Sequence, residues 1–265
     1  MCYSISQAKR TAYLTALKEG ASAEELNRLY DEWQDAQKDK SEIDTESPMA
    51  FVNGFEHPKL YTLIKAVELK ATRFTWGLIP EWTKDKTQAM EIRNKTLNAR
   101  GESLFEKASF KDAAMDKRCL IFVDGFFEYY HYKGKTFPNF IQNKEKDKPL
   151  VFGGLWSEWA DHAAGEVYQS ASIVTTRANE LMTSIHNNPK ANGARMPLIL
   201  EPKNFDQWLT ANNQSEVEEL IKPLPEGKLK AHTVKRLVGK NGVGDSKEAT
   251  KEFIYPDLNE QGTLF

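Results

Sequence analysis

The chain has 265 residues, a formal net charge of −2, 40% hydrophobic and 28% charged residues, an ordinary balance for a globular protein with a large core. That mild acidity argues against a nonspecific nucleic-acid coat protein. Two cysteines, Cys2 and Cys119, supply neither a disulfide framework nor a four-cysteine zinc site. No apolar run reaches the roughly 20 residues of a membrane span, and the polar start MCYSISQAKR lacks a signal-peptide core, so a cytoplasmic protein with no membrane partner is expected.

In chain order, Ser22-Ala-Glu-Glu is a capping box, and Leu26, Leu29, Tyr30 and Trp33 follow at helical spacing. This predicts an amphipathic helix within an N-terminal insertion at about 6–40. After the polar stretch KDKSEIDTESP the pattern changes to short β-rich runs: LYTLIKAVEL, CLIFVDGFFEYYHY, FPNFIQN, LVFGGLW, VYQSASIVTT and LKAHTVKRLV. Helices are expected at roughly 102–115, 177–184, 203–211 and 215–222. Connections are short and few segments read as β-helix-β crossovers, which predicts an α+β fold, a single domain of mostly antiparallel sheet with peripheral helices over 1–250. Residues 251–265 read as a tail. Charge is uneven: 22–47 carry nine acids against three bases, and 228–251 carry seven bases against two acids. The second stretch is either a basic surface or the solvated face of an element.

Cys2 poses the chemical question. As an internal residue it is a small apolar side chain; as the first residue after loss of Met1 it carries an α-amine beside a thiol. Amine and thiol have ordinary pKa values near 8 and 8.5, so each is partly nucleophilic at neutral pH. Such an aminothiol condenses with an aldehyde to an imine and closes to a thiazolidine.

Four stretches follow Met-Cys in order: FTWGLIPEW (74–82), LNARGES (97–103), RCLIFVDGFFEYY (118–130), and IVTTRANELMTSIH with RMPLIL (173–186, 195–200). Together they resemble the SOS response-associated peptidase family, the abasic-site processing proteins. The resemblance implies a DNA-damage response protein that crosslinks to abasic sites in single-stranded DNA through a mature N-terminal cysteine, as a thiazolidine. It carries the nucleophile to Cys2, the Asn-Ala-Arg asparagine to Asn98, the Gly-aromatic-aromatic-Glu glutamate to Glu128 and the Ile-His histidine to His186. Loss of water from the carbinolamine needs a nearby acid, the role for Glu128. His186, of the side-chain type that exchanges protons near neutrality, suits opening of the sugar hemiacetal. Asn98 suits holding the amine or a sugar hydroxyl. Family members often have His and Arg-Met-Pro nearly adjacent, whereas NNPKANGA separates them here.

For DNA, Arg100 suits phosphate, with Lys95 and Arg236 as further cations and Trp76, Trp82 and Phe55 as stacking rings. Lyase activity on the DNA and self-processing peptidase activity are further expectations. A competing reading is an N-terminal-nucleophile peptidase or amidohydrolase with Cys2 as nucleophile, its amine as base and Asn98 as oxyanion donor; another is a binding module in which Cys2 is a bystander. The five histidines show no ligand spacing, so neither metal nor cofactor is expected. The terminus NEQGTLF places Gln261, Leu264 and Phe265 in a Gln-x-x-Leu-Phe spacing that resembles peptides docking on the bacterial sliding clamp. The protein is expected to be a monomer.

Overall fold

The computed structural model describes residues 2–7, 49–65 and 69–261. Of the insertion expected at about 6–40, Ser6 and Gln7 belong to the first strand and its exit. The remainder, including the helix from Ser22, lies outside the described residues, as do Leu264, Phe265 and the side chain of Gln261.

The described chain is α+β. Its strands are β1 (Ser4–Ser6), β2 (Val52–Asn53), β3 (Lys59–Lys65), β4 (Leu69–Trp76), β5 (Asn98–Arg100), β6 (Arg118–Val123), β7 (Gly125–Tyr132), β8 (Lys135–Asn143), β9 (Leu150–Asp161), β10 (Glu166–Arg177), β11 (Arg195–Pro197) and β12 (Leu229–Thr233). The helices are α1 (Lys86–Arg93), α2 (Lys111–Asp116), α3 (Glu180–Ile185), α4 (Phe205–Thr210) and α5 (Gln214–Leu220). Pairings β10–β4, β4–β3, β3–β6, β6–β9 and β9–β10 return to their starting strand, so these five close into a barrel. A second sheet runs β12-β8-β7-β1-β2. The pairings are antiparallel except that β4 and β5 lie parallel to β10.

Strand β6 is buried along its whole length, as a continuous CLIFV run requires when both faces are packed. Leu120 and Phe122 face Trp208, Leu209, Val217 and Leu220 of the helices. Cys119, Ile121 and Val123 face Ile5, Phe126 and Ile141 of the second sheet and Met182 and Ile185 of α3. Buried Arg118 spends its guanidinium on the carbonyls of Ala114, Met115, Trp208 and Ala211 at 2.5–2.7 Å, tying α2 and α4 to the barrel. Asn and Asp caps start α1, α3 and α5: Asp85, Asn179 and Asn213 each accept a backbone N–H at 2.8–3.0 Å.

The run 119–132, expected as one strand, divides at Asp124, whose N–H donates to Ser6 O at 2.8 Å. There the chain leaves the barrel for the second sheet. Gly125 permits the turn: a Cβ on it would lie 2.4 Å from Ile141 O and 2.6 Å from the Phe140 ring. The helix expected at 102–115 is one 3-10 turn at Gly101–Ser103 followed by α2, and α1 was not expected because its eight residues KTQAMEIR are too few to show a helical apolar stripe. The boundary expected at 251 also moves. Phe253 N–H donates to Thr233 O at 2.8 Å, Tyr255 Oη to Val234 O at 2.8 Å, and Lys135 pairs with Asp257 at 2.7 Å, so the chain to Leu258 packs on β8 and β12. Among the described residues no helix is long and apolar enough to cross a membrane.

Candidate active site

Strand β1 lies between β2 and β7 in the second sheet, with Ile5 opposite Phe126 and Ser6 opposite Gly125. The same register continued sets Tyr3 level with Glu128. Fully buried Gln7 fixes this placement: its Nε2 donates to Phe122 O at 2.5 Å, its Oε1 accepts from Tyr61 N at 3.4 Å, and its N–H donates to Met49 O at 2.9 Å. The amide therefore stitches the N-terminal strand to β3 and β6. Nothing in the pattern MCYSISQ marks Gln7 as a core residue; only the register reveals it.

Cys2 is 1% exposed and its thiol points to Ser4 O at 3.8 Å. Burial and then the Glu128 carboxylate push the thiol well above its ordinary pKa. Glu128 also acts on Tyr3 and Tyr129, both raised first by burial and then by this carboxylate. Cys2, Tyr3 and Glu128 are thus one electrostatic unit.

Asn98 comes from the other sheet. Paired with Ile173 of β10, it donates from Nδ2 to the carbonyl of Cys2 at 2.8 Å, while its Oδ1 is buried without a partner. His186 follows α3, buried, with Nδ1 3.6 Å from Glu128 Oε2. The NNPKANGA stretch does not displace it, since His186 Nδ1 lies 3.1 Å from Arg195 O and 3.2 Å from Arg195 N. The insertion loops outward and returns. Asn187 secures its start by accepting from His131 N at 2.7 Å and donating to His131 O at 2.9 Å. This pair anchors the His186 segment to β7, the strand that bears Glu128, and sequence spacing gives no hint of it. Asn139, level with Glu128 on β8, is a further buried amide whose Oδ1 lacks a partner.

The four expected catalytic residues therefore converge from the segment before β1, from β5, from β7 and from the end of α3. The expected DNA contacts divide. Arg100 is exposed on β5, two residues beyond Asn98, and its charge acts on Tyr3. Phe55 is 52% exposed with its ring 5.2 Å from that of Tyr3, the residue that follows Cys2. Lys95 is exposed on the segment leading to β5. Trp76 is a correction: it is 0% exposed, its Nε1 donates to Leu97 O at 2.8 Å, and its ring covers Gly54, so no face is available for a base. Trp82 is 44% exposed, but its Nε1 is tied to Ala108 O at 3.0 Å, in the segment before α2. Arg236 is exposed near Tyr255, beyond β12. The basic stretch around it is partly neutralised, with Glu248 binding Lys235 at 3.0 Å and also Lys251, and Glu201 reaching Lys228 at 3.6 Å.

Residues 1–241 match the family model described as SOS response associated peptidase (SRAP). The chain is 36% identical over 169 residues to abasic site processing protein YoqW of Bacillus subtilis, covering 63% of this chain and 70% of that protein. It is 28% identical over 187 residues to abasic site processing protein YedK of Escherichia coli, covering 68% and 72%. A crystal structure of a Bacteroides thetaiotaomicron protein superposes with a TM-score of 0.76 at 28% identity, covering 96% of this chain and all of that one.

Proposed function

The chain belongs to the SOS response-associated peptidase family, and from that premise we propose that it captures abasic sites in single-stranded DNA covalently through Cys2 as the mature N-terminal residue. The observation that carries this reading is the bond from Asn98 to the carbonyl of Cys2 itself. A side chain from a distant strand thus holds the backbone of the second residue, next to a carboxylate that acts on its thiol. The names of the related proteins, which are abasic site processing proteins, support it further.

The chemistry needs no redox partner. The α-amine of Cys2 adds to the C1′ aldehyde of the ring-opened deoxyribose to give a carbinolamine. Glu128 in its acid form protonates the hydroxyl, which leaves as water, and the nitrogen lone pair forms the iminium. The Glu128 carboxylate then takes the thiol proton as sulfur adds to the iminium carbon, closing the thiazolidine with a neutral ring nitrogen. One water is released and Glu128 ends as it began. A thiol held neutral by burial suits this order, because it becomes nucleophilic only when the base beside it has given up its proton. In this reading Asn98 Oδ1 accepts from the amine, His186 assists opening of the hemiacetal, and Phe55 and Arg100 receive a base and a phosphate.

The test is a denaturing gel after incubation with a single-stranded oligonucleotide bearing one abasic site. Intact mass of the protein should show loss of Met1. A retarded band should form, and should vanish in Cys2→Ala and in a form retaining Met1. Full crosslinking by the Met-retaining form would overturn the aminothiol step.

A further inference from the structure

The inner face of β7 and β8 carries one polar rung beside an apolar one. Register sets Phe126 opposite Ile141 and Glu128 opposite Asn139, and β12 adds Ala231 and Thr233 to the same two rungs. Residues directly opposite share a face, and Phe126, Ile141 and Ala231 pack into the core with Met182 and Ile185 of α3. Glu128 and Asn139 therefore point the same way, one rung further along, on the side where His186 approaches.

Asn139 is 0% exposed. Its Nδ2 donates to Phe137 O at 3.0 Å, which fixes the orientation of the amide, because the reverse would set two carbonyl oxygens against each other. Oδ1 is left buried without a partner among the described residues. An unpaired buried acceptor is costly, so it calls for a donor. On one side Thr233 has spent its hydroxyl proton on Phe253 O at 2.7 Å. On the other side stands Glu128, whose Oε1 accepts from Tyr129 N at 3.1 Å. As a carboxylate it has no proton to give; as an acid it has one O–H.

We propose that Asn139 is a positioning residue for Glu128: its Oδ1 receives the O–H of the Glu128 acid and holds that form ready for the step that expels water. This rests on the reading of Cys2 and Glu128 given above. When the carbinolamine forms, the O–H turns from Oδ1 to its hydroxyl, the proton leaves with water, and the carboxylate is left to take the thiol proton. That proton restores the bond to Asn139. The other groups facing Glu128 are the Cys2 thiol and Tyr3 from the N-terminal segment, Tyr129 beside it and His186 after α3, with the amino terminus acting on Cys2 and Arg100 on Tyr3. Burial raises the thiol and both phenols and so keeps them neutral over the working range.

The experiment follows single-turnover crosslinking by the full chain at saturating abasic oligonucleotide from about pH 5 to pH 9, with thermal unfolding alongside. Loss of the acceptor should move the high-pH fall in rate down by about half to one pH unit, the worth of one neutral hydrogen bond. Asn139→Leu is then roughly threefold to tenfold slower above that limb and within about twofold of the parent below it, where the acid forms unaided. Asn139→Asp should move the limb up, because two facing carboxyls keep one proton between them. Infrared spectra of the free protein supply a second readout, since the band of protonated Glu128 is the one missing from Glu128→Gln. That band should appear only at lower pH in Asn139→Leu. Asn139→Ala repeats both comparisons should the bulk of leucine unfold the chain. A rate lowered equally at every pH, or a Glu128 band that appears at the parent's pH in the variants, would overturn the proposal. A shifted band together with a parent that forms no denaturation-resistant adduct would remove the reading of Cys2 and leave the pairing of Glu128 with Asn139 standing.

Discussion

Replacing Asn98 tests the site at the point where its two halves meet. Asn98→Ala removes the 2.8 Å bond to the Cys2 carbonyl, a partly buried bond with a net value of about 1 kcal/mol. It also removes Oδ1, buried and unpartnered in the free protein. In the reacting complex that oxygen gains the amine as donor, a second contribution of about 1 kcal/mol. The first bond is present before the reaction begins, so at saturating DNA the second contribution sets the barrier, and about 1 kcal/mol predicts crosslinking slower by roughly fivefold. Asn98→Asp keeps an acceptor but turns the donor into an oxygen facing the Cys2 carbonyl, so it should be at least as slow at neutral pH. The assay is the single-turnover crosslinking rate at saturating abasic oligonucleotide, resolved on denaturing gels, with thermal unfolding run in parallel. Rates within twofold of the parent at an unchanged Tm, or a fully active Asn98→Asp, would refute the reasoning.

Glu128→Gln should slow the same reaction by roughly a hundredfold, as expected for loss of an acid-base group; an unchanged rate would return Glu128 to a structural role. The thiols of Cys2 and Cys119 are raised in the fold, above all by burial, so the unfolded chain releases these protons first as pH rises past the ordinary thiol value. Stability is therefore full below about pH 9 and falls above it by about 1.4 kcal/mol per pH unit for each thiol. Urea unfolding between pH 8 and 10 should show the decline, and Cys119→Ala should make it shallower; an identical slope in the variant would contradict this. Gly125→Ala, whose Cβ would meet Ile141 O at 2.4 Å, should destabilise by about 2–3 kcal/mol, visible as a lowered Tm, and an unaltered Tm would show that β7 and β8 part without strain. A peptide of residues 256–265 should bind the sliding clamp in the micromolar range, and alanine at Leu264 and Phe265 in the full chain should abolish clamp binding while crosslinking to free oligonucleotides persists.

What the sequence disclosed follows the range over which its signals act. The β-rich runs and α+β class are local, and the structure has them; the Cys2, Asn98, Glu128 and His186 set rested on motifs whose order, once folded, brings four distant elements together. The barrel closure was not legible because β4 joins β10 in parallel, Thr75 level with Ser170, a pairing between segments 95 residues apart. Trp76 was misread because an aromatic in a motif is compatible with either a platform or a core, and its indole N–H proved to be satisfied internally by Leu97. Gln7, Asn187 and Asn139 were missed since a lone amide in a sequence looks the same whether it faces water or bridges strands. The NNPKANGA stretch was legible as an insertion, but its outward path is set by Asn187 on His131 and by the close approach of His186 to Arg195.

The position of β1 has a consequence for the order of events during synthesis. Ser6 meets Asp124 across 118 residues of chain, so the long partner strand of the N-terminus does not exist until β7 has been made. At 5–20 residues per second, that separation amounts to about 6 to 24 s in which the first residues have left the ribosome without that neighbour. An aminopeptidase has that interval to reach Met1. Once β7 closes beside β1 and Gln7 is sealed inside, the second residue is part of the cooperative fold. Under the role proposed for Cys2, timing on the ribosome would therefore bear on what fraction of molecules present a free aminothiol, and slowing or speeding translation between codons 7 and 132 would change that fraction without changing a single residue.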